Sequence, residues 1–286
     1  MRVLLFWLVI LIQGTVVCQE TRVIYPRPQS EADERHQFRV ALLQLALEQT
    51  KQSDGPFKIE LSEGSSMTQA KVVDALTHRQ LLDVVALPTN KEREDKLLPI
   101  RIPILKGLLG YRLFLINQAD QEKFKAIQTL ADLKKFQAGL SFDWADKSIY
   151  AYNQLPVVTG SNYESLFGML ALKRFDYFPR GVNEIWNEIE QRNNTYPNMV
   201  VEQTLALHYP FVVYFFTNKE NKTLADRIER GLKLALKSGE FDQLFLKFHG
   251  DYLKKAKLSN RRLIEIENPD LPSEARESLK TVRLEL

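Results

Sequence analysis

Residues 206–251 read ALHYPFVVYFFTNKENKTLADRIERGLKLALKSGEFDQLFLKFHGD and carry the clearest strand and helix signals in the chain. Bulky apolar residues alternate at Phe211, Val213 and Phe215, which predicts a strand. A polar turn at residues 218–222 then precedes an amphipathic helix over residues 224–236. Gly239 ends that helix, and a second short helix follows.

The chain before this stretch alternates strand-like and helix-like segments. Residues 22–25, 57–61 and 82–87 predict strands, and residues 31–51 and 67–77 predict the helices between them. A second unit starts near Gly107, with a strand over residues 108–116, and the chain returns to the first unit near residues 201–206. This alternation predicts an α/β protein built from two units.

Three short motifs, together with residues 206–251, resemble periplasmic solute-binding proteins of the polar amino acid type (family 3). LADLK at residues 130–134 is similar to the helix that starts the second lobe in that family. LKRFD at residues 172–176 and NKER at residues 90–93 are similar to two further family motifs. The resemblance implies a two-lobed type 2 periplasmic binding protein, in which each lobe is a mixed sheet flanked by helices and two crossing strands join the lobes.

The resemblance also implies how the chain is divided. Lobe 1 takes residues 19–106 and 205–255, lobe 2 takes residues 107–204, and residues 256–286 form a charged C-terminal tail. Residues 1–18 predict a signal peptide, because Arg2 precedes an apolar run at residues 3–12 that is too short to span a bilayer. We therefore expect a periplasmic protein. Lipid attachment at Cys18, the only cysteine, is the alternative.

The composition excludes several classes of function. The 39 Lys and Arg residues are spread along the chain and nearly balanced by 36 Asp and Glu residues, which argues against a nucleic-acid partner. The four His residues are isolated, and neither a metal-ligand spacing nor a G-x-S-x-G or phosphate-loop motif occurs. We therefore predict no metal, no cofactor and no catalytic residue. A secreted enzyme that uses Asp143 and Asp146 as acid and base is the rival from a different class.

Candidate ligand contacts of lobe 1 follow the predicted strands, because ligands of open α/β units bind outside the carboxyl ends of the strands. Tyr25 follows the first strand and either stacks on a ligand or belongs to the core. Thr89, Asn90 and Arg93 follow the third strand. The resemblance implies that Arg93 pairs with a ligand carboxylate, which its planar fork matches. A surface ion pair with an adjacent glutamate is the alternative.

Lobe 2 departs from the amino acid binders at its candidate contacts. Arg112 lies in an apolar strand and needs a partner or a ligand. Asp143 stands where the family has small residues, so it either caps a helix or receives a cationic or hydroxyl group. Trp144 is a candidate for stacking. Arg180 stands near the family's acidic amino-group clamp, and it suits an anionic or carbonyl-bearing ligand or pairs with Asp143. We therefore predict a ligand other than an ordinary L-amino acid.

These observations together predict a binding protein that does no chemistry. We expect a monomer that traps a small polar solute between its lobes, by the hinge closure typical of such proteins. Its partner would be an inner-membrane ABC permease. A sensor that presents its ligand to a membrane receptor is the alternative.

Overall fold

The computed structural model describes residues 20–28, 35–282 and 284. The expected signal peptide, with Cys18, lies outside the described residues. The strands of the described part are β1 (Thr21–Tyr25), β2 (Phe57–Leu61), β3 (Val84–Pro88), β4 (Leu97–Ile100), β5 (Tyr111–Asn117), β6 (Ala138–Ser141), β7 (Val157–Gly160), β8 (Tyr177–Gly181), β9 (Met199–Val201), β10 (Leu205–His208), β11 (Val213–Asn218) and β12 (Arg262–Glu265).

Helices alternate with these strands along most of the chain. They are α1 (Arg35–Gln49), α2 (Lys51–Asp54), α3 (Gln69–Thr77), α4 (Lys91–Lys96), α5 (Gln121–Lys125), α6 (Leu130–Leu133), α7 (Asp146–Tyr152), α8 (Tyr163–Ala171), α9 (Ile185–Arg192), α10 (Lys222–Ser238), α11 (Glu240–Ala256) and α12 (Ser273–Ser278). None of the described helices combines the length and the apolar composition that crossing a membrane requires.

Lobe 1 is built on a mixed set of strands. β1 and β2 pair in parallel, whereas β11 lies between β3 and β4 and is antiparallel to both. Asp83 links the two groups: its backbone N–H donates to the carbonyl of Ile24 at 3.0 Å, and its carboxylate accepts from the N–H of Ile24 at 2.8 Å. The one polar residue of an otherwise apolar run therefore bonds β1 to the start of β3.

The stretch with the clearest sequence signals forms the expected strand and two helices. All six residues of β11 are buried, so this strand lies at the centre of lobe 1. Asn221 caps α10 by accepting from the N–H of Leu224. Gly239, at φ 81°, takes the left-handed conformation that ends α10, and α11 follows directly. The predicted helix boundary at Gly239 is thus confirmed.

Lobe 2 is a sheet of seven strands in the order β12–β10–β5–β8–β6–β7, with β9 paired to β5 as well. β6 pairs in parallel with β7 and β8, whereas β5 is antiparallel to β8, β9 and β10. The chain crosses from lobe 1 to lobe 2 between β4 and β5 and returns between β10 and β11. β10 itself, expected within lobe 1, pairs with strands of lobe 2.

The described part of the segment expected as a charged tail is folded onto both lobes. β12 pairs in parallel with β10 of lobe 2, and Ile264 is buried there. Leu271 and Ala275 are buried against β3 and β11 of lobe 1, and the hydroxyl of Ser278 lies 2.5 Å from that of Tyr214. The charged residues of the segment are mostly exposed, whereas Ile264, Ile266, Leu271, Ala275 and Val282 are buried.

Candidate functional site

A cavity of about 90 Å³ lies between the two lobes and takes its wall from both. Tyr25, at the end of β1, lines it from lobe 1. Arg112 on β5, Trp144 after β6 and Arg180 on β8 line it from lobe 2. The structure therefore brings these four candidate residues together around one space. We call this space the interlobe cavity.

Arg112 is buried in the wall of the interlobe cavity and is held by an acid and a phenol. Its Nη2 donates to Oδ1 of Asp146 at 2.6 Å, and its Nε donates to the hydroxyl of Tyr209 at 2.8 Å. That hydroxyl donates in turn to the same oxygen of Asp146. Burial is the largest single influence and would lower the pKa of Arg112, but Asp146, Tyr209, Glu184 and Tyr150 together outweigh burial and raise the pKa above its ordinary value. Arg112, the charged residue of an apolar strand, thus has structural partners in Asp146 and Tyr209.

Arg180 is only 2% exposed and binds two acids that follow it in the chain. Its Nε and Nη2 donate to the two carboxylate oxygens of Glu188 at 2.7 and 2.6 Å, the bidentate geometry that a guanidinium favours. Its Nη2 also lies 3.0 Å from Glu184. Trp144 covers the guanidinium, with Cζ 4.9 Å from the ring centroid. Arg180 therefore pairs with Glu184 and Glu188. The sequence alone suggested Asp143 as its protein partner.

Three guanidiniums lie within ion-pair distance of the carboxylate of Glu184. It accepts from the N–H of Gly181 at 2.9 Å and lies 3.0 Å from Arg180, 3.6 Å from Arg35 and 3.7 Å from Arg112. Burial alone would raise the pKa of Glu184, but the positive charge of Arg180, followed by that of Arg35 and Arg112, lowers it to about 2. This carboxylate is therefore ionised throughout the physiological range.

Thr89, Asn90 and Arg93 do not line the interlobe cavity. Thr89 donates its hydroxyl to Glu94 at 2.6 Å, and Asn90 caps α4 by accepting from the N–H of Arg93 at 2.8 Å. Arg93 donates to the carbonyl of Pro88 at 2.6 Å and to the side chain of Gln69 at 2.7 Å. Its burial lowers its pKa to about 10. The family resemblance assigned Arg93 to a ligand carboxylate, but its side chain instead forms hydrogen bonds within lobe 1.

Asp143 lies at a neighbouring groove of about 560 Å³, which Asn90, Arg93 and Trp144 also line. Its carboxylate accepts from the hydroxyl of Ser141 at 2.8 Å and from the N–H of Ala70, in lobe 1, at 3.4 Å. The residue before α7 is Ala145, which makes no side-chain cap. Asp143 therefore contacts the first turn of α3 across the cleft, where the sequence suggested a cap on its own helix.

Several cavity residues were missed by the sequence reasoning. Arg27, Arg35, His36 and Arg39 line the cavity from lobe 1, and Glu184 lines it from lobe 2. Two signals pointed to some of them: Arg27 comes two residues after β1, and Glu184 and Glu188 follow Arg180 at intervals of four residues. The position of α1 over the cavity had no such signal. Among the described residues, no group of three or more His, Cys, Asp or Glu side chains could hold a metal ion.

Comparison with known proteins shows a similarity of fold. No protein-family model matches the sequence, and a search of curated proteins found no match either. Among solved structures, an ancestral arginine-binding protein bound to arginine is similar over 80% of this chain and 98% of its own, with a TM-score of 0.59 and 17% identity. A putative binding component of an ABC transporter from Wolinella succinogenes, complexed with lysine, is similar over 82% and 98%, with a TM-score of 0.59 and 14% identity.

A sensor domain of a histidine kinase, described as similar to periplasmic binding proteins, is also similar to the chain. The match spans 82% of this chain and 97% of the sensor domain, with a TM-score of 0.56 and 16% identity. At such identities the likeness concerns the fold. The chain has the two-lobed α/β fold of periplasmic binding proteins, so the fold class expected from the sequence is confirmed.

Proposed function

We propose that this protein is a periplasmic solute-binding protein that traps a small polar ligand in the interlobe cavity. The observation that carries the proposal is the composition of the cavity wall, in which strand ends of both lobes place charged and aromatic side chains around one space. Tyr25 comes from lobe 1, and Arg112, Trp144 and Arg180 come from lobe 2. A few convergent polar groups in a concave site are what a small-molecule site requires.

Delivery to an inner-membrane ABC transporter is the use we propose first. A solved structure of the same fold is described as a putative binding component of an ABC transporter. Sensing for a membrane receptor is the second candidate, because a histidine kinase sensor domain has this fold as well. In both uses the protein acts as a monomer outside the inner membrane and exchanges its ligand by opening and closing the cleft.

Binding without catalysis fits the bonding of the two acids that the rival enzyme would need. Asp146 accepts from Arg112 and Tyr209, and Asp143 accepts from Ser141 and from the backbone of Ala70. A general acid or base must come within hydrogen-bond reach of the proton that it transfers. Both carboxylates already serve as acceptors within the structure, which supports a positioning role for them.

A thermal-shift screen tests the proposal directly. The chain from residue 19 onward would be melted with amino acids, organic acids, amines and sugars, and we expect compounds of at least one class to raise Tm. The rise should shrink in Trp144→Ala, which removes a cavity wall, and persist in Tyr152→Ala, which removes an exposed ring of lobe 2. The absence of any rise in all four classes would refute solute binding. Chemical conversion of a bound compound would refute the non-enzyme assignment.

A genetic experiment separates the two uses once a ligand class is known. Deletion of the gene should abolish uptake of the labelled ligand if the protein serves a transporter. If the protein serves a receptor, uptake should continue and the cell's transcriptional response to the ligand should disappear. Either result identifies the use. If the deletion strain keeps both uptake and the transcriptional response, both uses are contradicted.

A further inference from the structure

The inner part of the interlobe cavity wall is electrically balanced. Its three guanidiniums each lie within ion-pair distance of at least one carboxylate, at atom separations of 2.6 to 3.7 Å. The three cations face three anions, so this layer carries no net charge. The members of the layer are Arg35, Arg112, Arg180, Asp146 and Glu184, which line the cavity, and Glu188, which binds Arg180 outside the lining.

Each carboxylate of this layer accepts hydrogen bonds or pairs with a cation within the structure. Glu188 accepts from Arg180 through both oxygens and from the hydroxyl of Tyr163 at 2.7 Å. Asp146 accepts from Arg112 and from a phenol, and Glu184 accepts from a backbone N–H besides its guanidiniums. Each carboxylate of this layer is therefore already paired with at least one guanidinium, and a ligand ammonium group would have to share it with that cation.

Two further arginines line the cavity from lobe 1 and have no acidic partner among residues 20–28, 35–282 and 284. Arg27 donates its Nε to the carbonyl of Ser62 at 2.6 Å, a bond that does not neutralise its charge. Arg39 lies one helical turn after Arg35 on α1, so the two like charges repel. The described cavity lining thus carries an excess of positive charge, and this excess belongs to lobe 1.

We propose that the ligand of the interlobe cavity is a small organic anion whose carboxylate or phosphate group is bound by Arg27 and Arg39. This inference rests on the proposed solute-binding function and adds the ligand class. The planar donor fork of arginine matches both groups, and an anion here relieves the repulsion along α1. A cavity of about 90 Å³ favours a ligand with few atoms, since sites for larger ligands span roughly 300–1,000 Å³.

Calorimetry and thermal shift with four probes test the ligand class. The probes are succinate, glycerol 3-phosphate, putrescine and glucose, at constant ionic strength set with sodium chloride. We expect succinate, glycerol 3-phosphate or both to bind and raise Tm, and the response to each tells a carboxylate from a phosphate ligand. Binding of putrescine or glucose without either anion would overturn this inference and leave solute binding intact. Failure of every class, in this panel and the wider screen, would instead refute solute binding.

Charge-removing variants test the assigned residues. Arg27→Gln and Arg39→Gln should each weaken binding of the anion about tenfold or more, since charged hydrogen bonds of this kind contribute about 1.5–3 kcal/mol. Arg79→Gln is the matched control, because Arg79 is an exposed arginine of lobe 1 paired with Glu220. Both test variants should keep the ligand-free Tm within the range of the control. Unchanged anion affinity in both would overturn the assignment.

Discussion

Arg35 on α1 of lobe 1 and Glu184 of lobe 2 face each other across the cleft, with guanidinium and carboxylate atoms 3.6 Å apart. The same carboxylate also meets Arg112 and Arg180, so one buried anion links the two lobes. The contact between Asp143 and the N–H of Ala70 spans the cleft as well. An ion pair and a hydrogen bond from a backbone N–H to a carboxylate therefore join the two lobes across the cleft.

Neutralising Glu184 should destabilise the protein strongly. Glu184→Gln keeps the shape of the side chain but leaves the guanidiniums of Arg112 and Arg180 short of one counter-charge. Breaking a buried ion pair from one side costs about 3–5 kcal/mol in unfolding free energy. Urea unfolding at neutral pH measures this loss. Glu220→Gln, which breaks an exposed pair with Arg79, should have little effect, and equal effects of the two variants would contradict the central role of Glu184.

The stability of lobe 1 should fall in mild acid because of His249. The ring is 5% exposed and packs on Phe38 and Phe245, with centroids 4.5 and 4.9 Å away. Burial, with a smaller contribution from the charge of Arg39, lowers its pKa to about 4. The unfolded chain, with a His pKa near 6.5, therefore binds more protons between pH 6.5 and 4. The stabilisation is complete above about pH 6.5 and is lost as pH falls toward 4, by at most about 3 kcal/mol.

Urea unfolding of the wild type and His249→Phe between pH 7.5 and 4.5 isolates this contribution. The wild type should lose more stability than the variant over this range, since phenylalanine does not titrate. His78→Gln, which removes an exposed histidine, should follow the wild type. Parallel pH curves for the wild type and His249→Phe would show that His249 does not titrate as its burial predicts.

A methyl group at Gly231 should disrupt the packing of α10 on α1. A Cβ there would overlap the backbone carbonyl of Ala46, which cannot move without shifting α1. We expect Gly231→Ala to cost several kcal/mol, at the upper end of the roughly 1–3 kcal/mol typical of overpacking. Gly250→Ala on α11 is the control: its Cβ would meet nothing closer than 4.0 Å, so it should stabilise the helix by about 0.5–1 kcal/mol. Calorimetric melting would distinguish the two, and similar Tm values would refute the close approach.

A charge placed inside the C-terminal segment should destabilise lobe 1. Ala275 is fully buried on α12 against β3 and β11, so Ala275→Asp puts a carboxylate into an apolar contact. We expect a clear loss of Tm, while Arg276→Asp on the exposed side of the same helix should change Tm little. If both variants melt like the wild type, the segment contributes nothing to stability. Equal losses would mean that helix propensity, and not burial, causes the effect.

The sequence allowed the architecture to be predicted because its signals are local. The alternation at Phe211, Val213 and Phe215 and the glycine at position 239 depend on neighbours within a few residues, and the structure has β11, α10 and α11 there. Arg112 was also found locally, since a charge in an apolar strand needs a partner, whereas Arg180 was found from its place in the family resemblance. The full lining of the candidate site could not be predicted in this way. Arg35 and Arg39 lie on α1, and no local sequence signal indicates that α1 contacts the cavity.

The sequence by itself determined the two-lobed α/β fold and the positions from which strand ends can reach a ligand. Only the tertiary structure decided which charges meet: Arg180 with Glu188, Arg112 with Asp146, and Arg35 with Glu184 across the cleft. It also placed Arg93 in hydrogen bonds to lobe 1 and folded residues 262–278 onto both lobes. The reason is physical. Periodicity and turn chemistry act over a few residues, whereas ion pairing in a buried cleft depends on which distant elements packing brings together.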